Sequence, residues 1–136
     1  MTYIGLIQLN NAGKFNQLIK DNKDVFFEYF KCDIYPGSIN IFLEDNLGLW
    51  QELDKGIPTP DIIIPKEKLI NMPVYLGNGQ AWKCKLISEK WKEIDNCWVF
   101  RRINSKVQRG VLEIISPLEL NKPYNLQQDE EVTLIF

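Results

Sequence analysis

No histidine occurs among the 136 residues. That absence removes Ser-His-Asp and Cys-His nucleophilic catalysis and His-built metal centres, so chemistry must rest on carboxylates, lysines, hydroxyls or a bound hard cation. Cysteine is also scarce. Cys32, Cys84 and Cys97 are an odd number without CxxC spacing, which argues against a disulfide framework or a structural zinc site and for reduced, mostly buried thiols. No apolar run approaches the roughly 18 residues that span a bilayer. The opening Met1-Thr2-Tyr3-Ile4-Gly5 lacks a basic segment followed by a long apolar one, so a cytoplasmic protein without a membrane partner is expected. An excess of positive charge is missing too. Sixteen basic and eighteen acidic side chains leave a net charge of −2, which disfavours binding to polyanions such as nucleic acid.

What remains is the composition of one globular domain over residues 1–136, with 45% hydrophobic and 25% charged residues, long enough to hold a core without staples. Short apolar segments rich in β-branched residues and bounded by Gly, Pro, Asn and Asp predict strands at 2–9, 38–43, 61–64, 74–75, 80–87, 97–103, 111–115 and 132–136. The fold class is therefore mainly β, a barrel or a sandwich. A helix is expected over 22–31, capped by Asp21 or Asn22, with Phe26, Phe27 and Phe30 on or near one face as core. A second short helix is expected from Ser116, where Ser116-Pro117-Leu118-Glu119 resembles a capping box, with Pro123 stopping it. Four prolines, Pro58, Pro60, Pro65 and Pro73, mark a long loop around an edge strand.

Ser38 and Asn40 follow the Pro36-Gly37 turn two residues apart, so on a strand they share a face. Such a hydroxyl and amide oxygen suit either a hard cation whose charge is balanced by phosphates or a hairpin turn that satisfies its own backbone. Glu113, flanked by aliphatics, is either solvent-facing or a partly desolvated acceptor for a substrate hydroxyl. Residues 81–110 carry eight basic and three acidic side chains. Of these, Arg101, Arg102, Lys106 and Arg109 belong either to a solvated strand pair or to loops over a site. Trp82, Trp91 and Trp98 fit core packing, or a stacking face for a flavin or a base.

Several of these segments together resemble the archaeal CTP-dependent riboflavin kinases. The shared features are Gly5 in a first strand, the loop Ala12-Gly13-Lys14-Phe15, a helix, the signature Pro36-Gly37-Ser38-Ile39-Asn40-Ile41-Phe42-Leu43, and the late signature Leu112-Glu113-Ile114-Ile115-Ser116-Pro117. The similarity spans nearly the whole chain in the same order. It implies a compact six-stranded cradle-loop β-barrel with one or two short helices. It also implies transfer of a phosphoryl group from CTP, or another nucleotide, to riboflavin, giving FMN.

On the matching positions, the resemblance implies that Ser38 and Asn40 hold Mg²⁺ and that Gly13 and Lys14 bind nucleotide phosphates. Glu113 would contact the ribityl end as the catalytic acid-base group, and Ser105 would contact the flavin. The chain also departs from the pattern. Asn10-Asn11-Ala12-Gly13-Lys14 keeps one glycine where the family has several, Leu118-Glu119-Leu120-Asn121 stands in place of a stretch containing Lys or Arg, and Gln128-Asp129-Glu130 replaces an Asp-Gly-Asp turn. A catalytically inactive flavin-, nucleotide- or partner-binding barrel of the same fold is the alternative these departures raise. A nucleic-acid-binding small barrel built on the basic segment is opposed by the overall acidity.

Overall fold

The structure, a computed structural model, describes residues 2–9, 13–44, 46–71, 75–104 and 111–136. Among these described residues, seven strands form one antiparallel sheet. They are β1 (Thr2–Gln8), β2 (Ile39–Leu43), β3 (Ile62–Ile64), β4 (Gly79–Ser88), β5 (Lys92–Arg102), β6 (Leu112–Ile115) and β7 (Glu131–Ile135). The strand order is β3-β4-β5-β6-β2-β1-β7, and β7 pairs back onto β4. Six strands thereby close a barrel, with β3 as an extra strand on β4.

Closure depends on β4 serving several partners. It runs along nearly the whole of β5, while Lys85, Leu86 and Ile87 pair with Ile135, Leu134 and Thr133 of β7. The register shift between Cys84 and Leu86 is the kind of irregularity that adds local twist and lets a strand turn between neighbours.

Alternation along the strands sorts side chains into two cores. Ile7, Ile41, Leu43, Trp82, Leu86, Val99, Leu112, Ile114, Val132 and Leu134 fill the barrel. Gly5 faces the same interior, where a Cβ would lie 2.6 Å from both Ile41 Cγ2 and Leu43 Cδ2 and 2.8 Å from the Phe42 carbonyl oxygen. The close crossing of β1 over β2 therefore requires glycine. Cys84 and Cys97 face each other inside, Sγ to Sγ 3.6 Å, and the hydrogen bond between them, together with burial, pushes the Cys84 thiol up. All three cysteines are free.

The second core lies on the outer face of the sheet, where Phe15, Leu18, Ile19, Phe26 and Phe30 cover Ile64, Ala81, Trp98, Phe100 and Ile115. Two helices supply the cover, α1 (Gly13–Asp21) and α2 (Lys23–Phe30). The expected helix is thus α2, ended by Lys31 at φ 61° with its N–H on the Phe27 carbonyl, a left-handed cap. Asn22 does not cap it. Its amide instead donates to the Leu18 and Ile70 carbonyls and accepts from Ile70 N–H, tying the junction of α1 and α2 to the loop after β3. Phe26 and Phe30 are core as expected, while Phe27 is exposed.

Other expectations need correction. The Ser116 hydroxyl donates to the Asn96 carbonyl at 2.6 Å and accepts from Leu118 N–H, so it fastens a turn to β5 and starts no helix. The short helix α4 comes later, Asn121–Tyr124, and contains Pro123, whose missing N–H costs nothing within a first turn. A helix α3 (Asn46–Asp54) runs into the segment expected as loop. The expected strand at 74–75 is not a strand at Tyr75, which lies in a turn, and its other residue lies outside the described ones. Trp82 and Trp98 are buried in the two cores and offer no stacking face. Among the described residues, no helix is long and apolar enough to cross a membrane.

Candidate functional site

The two sequence signatures meet on adjacent strands. Asn40 on β2 lies directly opposite Glu113 on β6, and directly opposed residues of an antiparallel pair hold their Cβ atoms about 4.5–5.5 Å apart. Because Ile39 and Ile41, like Leu112 and Ile114, point into the barrel, Asn40 and Glu113 both face outward. The same row continues from Glu113 to Phe100 on β5 and from Phe100 to Ala81 on β4. The apolar half of the row lies under α1 and α2, and its polar half emerges at their edge.

α1 fixes that edge. Phe15 packs on Phe100 with ring centroids 5.4 Å apart, and the next residue, Asn16, accepts from Ser38 N–H at 3.1 Å and from the Ser38 hydroxyl at 3.4 Å. Gly13 and Lys14 are the first two residues of this helix. Its amino-terminal turn is thus anchored beside Ser38. Tyr35 N–H donates to the Ser116 carbonyl, which clamps the approach to β2 against the exit from β6.

Burial sets the chemistry. Glu113 is only 7% exposed, so the solvent-facing alternative does not hold. Burial pushes its carboxyl up to about 7, with the Arg102 guanidinium opposing the rise. Asn40 Oδ1 is buried with no hydrogen-bond partner, an uncommon condition for a polar atom in a finished core. Ser38 spends its proton on Asn16, which leaves its oxygen lone pairs available. A hydroxyl oxygen just ahead of β2 and an amide oxygen on it are ligand types that suit a hard cation, provided a ligand brings the negative charge. Among the described residues no cluster of three or more Cys, Asp or Glu could hold a metal ion.

The structure brings together Ser38, Asn40, Glu113 and the start of α1. Ser105, Lys106 and Arg109 lie outside the described residues. Arg101 is committed elsewhere, pairing with Asp54 at 2.6 Å, donating to Gln80 at 2.9 Å and lying over the Trp50 ring. Asn16 was not visible from sequence, since nothing in Lys14-Phe15-Asn16 distinguishes it from any polar helical residue. Comparison with family models and with curated proteins finds no match to this chain.

Proposed function

We propose that this protein is a CTP-dependent riboflavin kinase or a close relative, moving the terminal phosphoryl group of CTP, or another nucleoside triphosphate, onto the ribityl hydroxyl of riboflavin. The observation that carries this reading is the cross-strand pairing of Asn40 with Glu113, one an unpartnered oxygen and the other a desolvated acid. Phosphoryl transfer asks mainly for positioning and charge neutralisation. In this reading the hydroxyl oxygen attacks the terminal phosphorus, the bond to the nucleoside diphosphate breaks, and the hydroxyl proton passes to the Glu113 carboxylate. A carboxyl poised at about 7 exchanges a proton at neutral pH. Ser38 and Asn40 would hold Mg²⁺, which supplies charge neutralisation between the phosphates when bound. Backbone N–H groups at Gly13 and Lys14, opening α1, receive phosphate oxygens. A cytoplasmic location fits, because free thiols belong to a reducing compartment.

The test is direct. Purified protein given riboflavin, CTP and Mg²⁺ is expected to form FMN, resolved from riboflavin by chromatography, and Asn40→Ala or Glu113→Gln is expected to abolish it. Absence of FMN at high enzyme concentration with CTP, ATP and GTP ends the kinase reading. A second reading, a barrel that binds flavin or nucleotide without transfer, is favoured by the single glycine before Lys14 and by Leu118-Glu119-Leu120-Asn121, where the one charge, Glu119, is paired with Lys122 at 3.1 Å. Stabilisation by riboflavin or FMN in a thermal-shift panel, without turnover, selects it.

A further inference from the structure

Two consecutive arginines end β5, and alternation sends them to opposite faces. Arg101 is saturated by Asp54, Gln80 and the Trp50 and Trp82 rings. Arg102 is not. It lies two residues beyond Phe100, on the outer face, and Phe100 is opposite Glu113. That makes Arg102 a diagonal neighbour of Glu113, at the roughly 7–8 Å that long side chains bridge. The guanidinium is half-buried, which lowers its pKa, while the nearby Glu113 carboxylate opposes the drop. Yet no ion pair within 4.0 Å joins it to Glu113, and among the described residues its side chain makes no hydrogen bond.

A desolvated guanidinium has five donors to satisfy, and leaving them unmet is costly. Directly across from Arg102 on β4 stands Gly79, so no side chain from that position covers it. The three outward groups then run in a definite order. Asn40 and Glu113 are acceptors, and Arg102 is a donor with a fork shaped for an oxyanion. A phosphorylated polyol presents that complement, its free hydroxyls donating toward the two acceptors and its phosphate accepting from the arginine.

We infer that Arg102 is a further ligand-contacting residue of this site and binds the phosphate that distinguishes FMN from riboflavin. The inference rests on the flavin reading above and adds a cation to it that the segment at 118–121 does not provide.

Titration of the full chain with riboflavin and with FMN, followed by flavin fluorescence in EDTA, tests it. Arg102→Gln is expected to weaken FMN binding by about tenfold to a hundredfold, the range of a lost charge-assisted contact, and to leave riboflavin binding within about twofold. Equal weakening of both flavins, or unchanged FMN binding, overturns the inference. Should the glutamine variant fail to fold, Arg102→Lys carries the test. It keeps the charge and loses the fork, so FMN affinity alone should fall, and a fall shared by riboflavin overturns the assignment. Inorganic pyrophosphate separates this inference from the reading beneath it. A protein that binds no flavin but binds pyrophosphate in an Arg102-dependent way keeps the anion site and discards the flavin, whereas one that binds neither discards both.

Discussion

Glu113 offers the sharpest test of the site's physics, because the same burial that suits it to proton transfer should make it a liability for folding. Its carboxyl rises from an ordinary 4.5 to about 7, chiefly by desolvation. At about 1.4 kcal/mol per pH unit, that rise is worth about 3 kcal/mol. Between pH 4.5 and 7 the folded chain keeps the proton that the unfolded chain has released. Wild-type stability is therefore fully present below 4.5, declines as pH climbs through this window, and has lost the whole contribution above 7. Glutamine carries no such proton. The stability of Glu113→Gln minus that of wild type should grow by about 3 kcal/mol from pH 4.5 to pH 8, with its steepest change between those two values.

Urea unfolding at half-unit pH steps, at fixed ionic strength and in EDTA, measures the difference directly. A difference that stays flat across the window refutes the reasoning, since it means the carboxyl is hydrated and titrates as in the open chain. Arg102 supplies an internal check. Its guanidinium opposes the rise, so in the Arg102→Gln background the decline attributed to Glu113 should extend to higher pH. If that background leaves the window unmoved, the two groups do not share a field. The gain in stability should accompany the loss of FMN formation proposed above, because the desolvated acid is unfavourable for folding and useful for chemistry for the same reason.

Two further predictions concern the scaffold that positions the site. Gly5→Ala drives a methyl to 2.6–2.8 Å from two side chains and a backbone oxygen, and because a carbonyl cannot rotate away it should cost about 1–3 kcal/mol or more in urea unfolding; a neutral result would mean that β1 and β2 are not in this register. Asn22→Ala removes three hydrogen bonds, two of them linking the helix junction to Ile70, and should destabilise by about 1–3 kcal/mol, with faster amide exchange at Ile70 as the local signature.

Most of the barrel was legible from sequence because its signals are local. Seven of the eight expected strands appear with ends displaced by a few residues, and the largest displacement is in β5, which begins at Lys92 where 97 was expected. Residues 92–96 are mostly polar, and they are recruited by pairing with β4 across the hairpin more than by any preference of their own. α1 and α3 were missed for a related reason. α1 carries its apolar residues as Phe15, Leu18 and Ile19, a helical spacing too brief to stand out from the glycine before it, and it is held by the outer face of the sheet. Helices this short gain most of their stability from such packing.

The site divides along the same line. Ser38 with Asn40 could be assigned to one face because strand alternation needs only the sequence, and the two signatures supplied Glu113. What no local pattern contains is register, which decides that Asn40 faces Glu113, that Glu113 faces Phe100, and that Arg102, two residues beyond Phe100, shares its outer face. Arg101 and Arg102 are equivalent as letters, and both stood in one basic segment. Moving the pairing by a single residue would exchange them, putting the saturated arginine beside the acid and the unsaturated one beneath Trp50. The positive charge available to a ligand is thus set by the alignment of β5 on β6, and a variant that keeps every site residue but shifts that alignment should lose the site as completely as the loss of Glu113 itself.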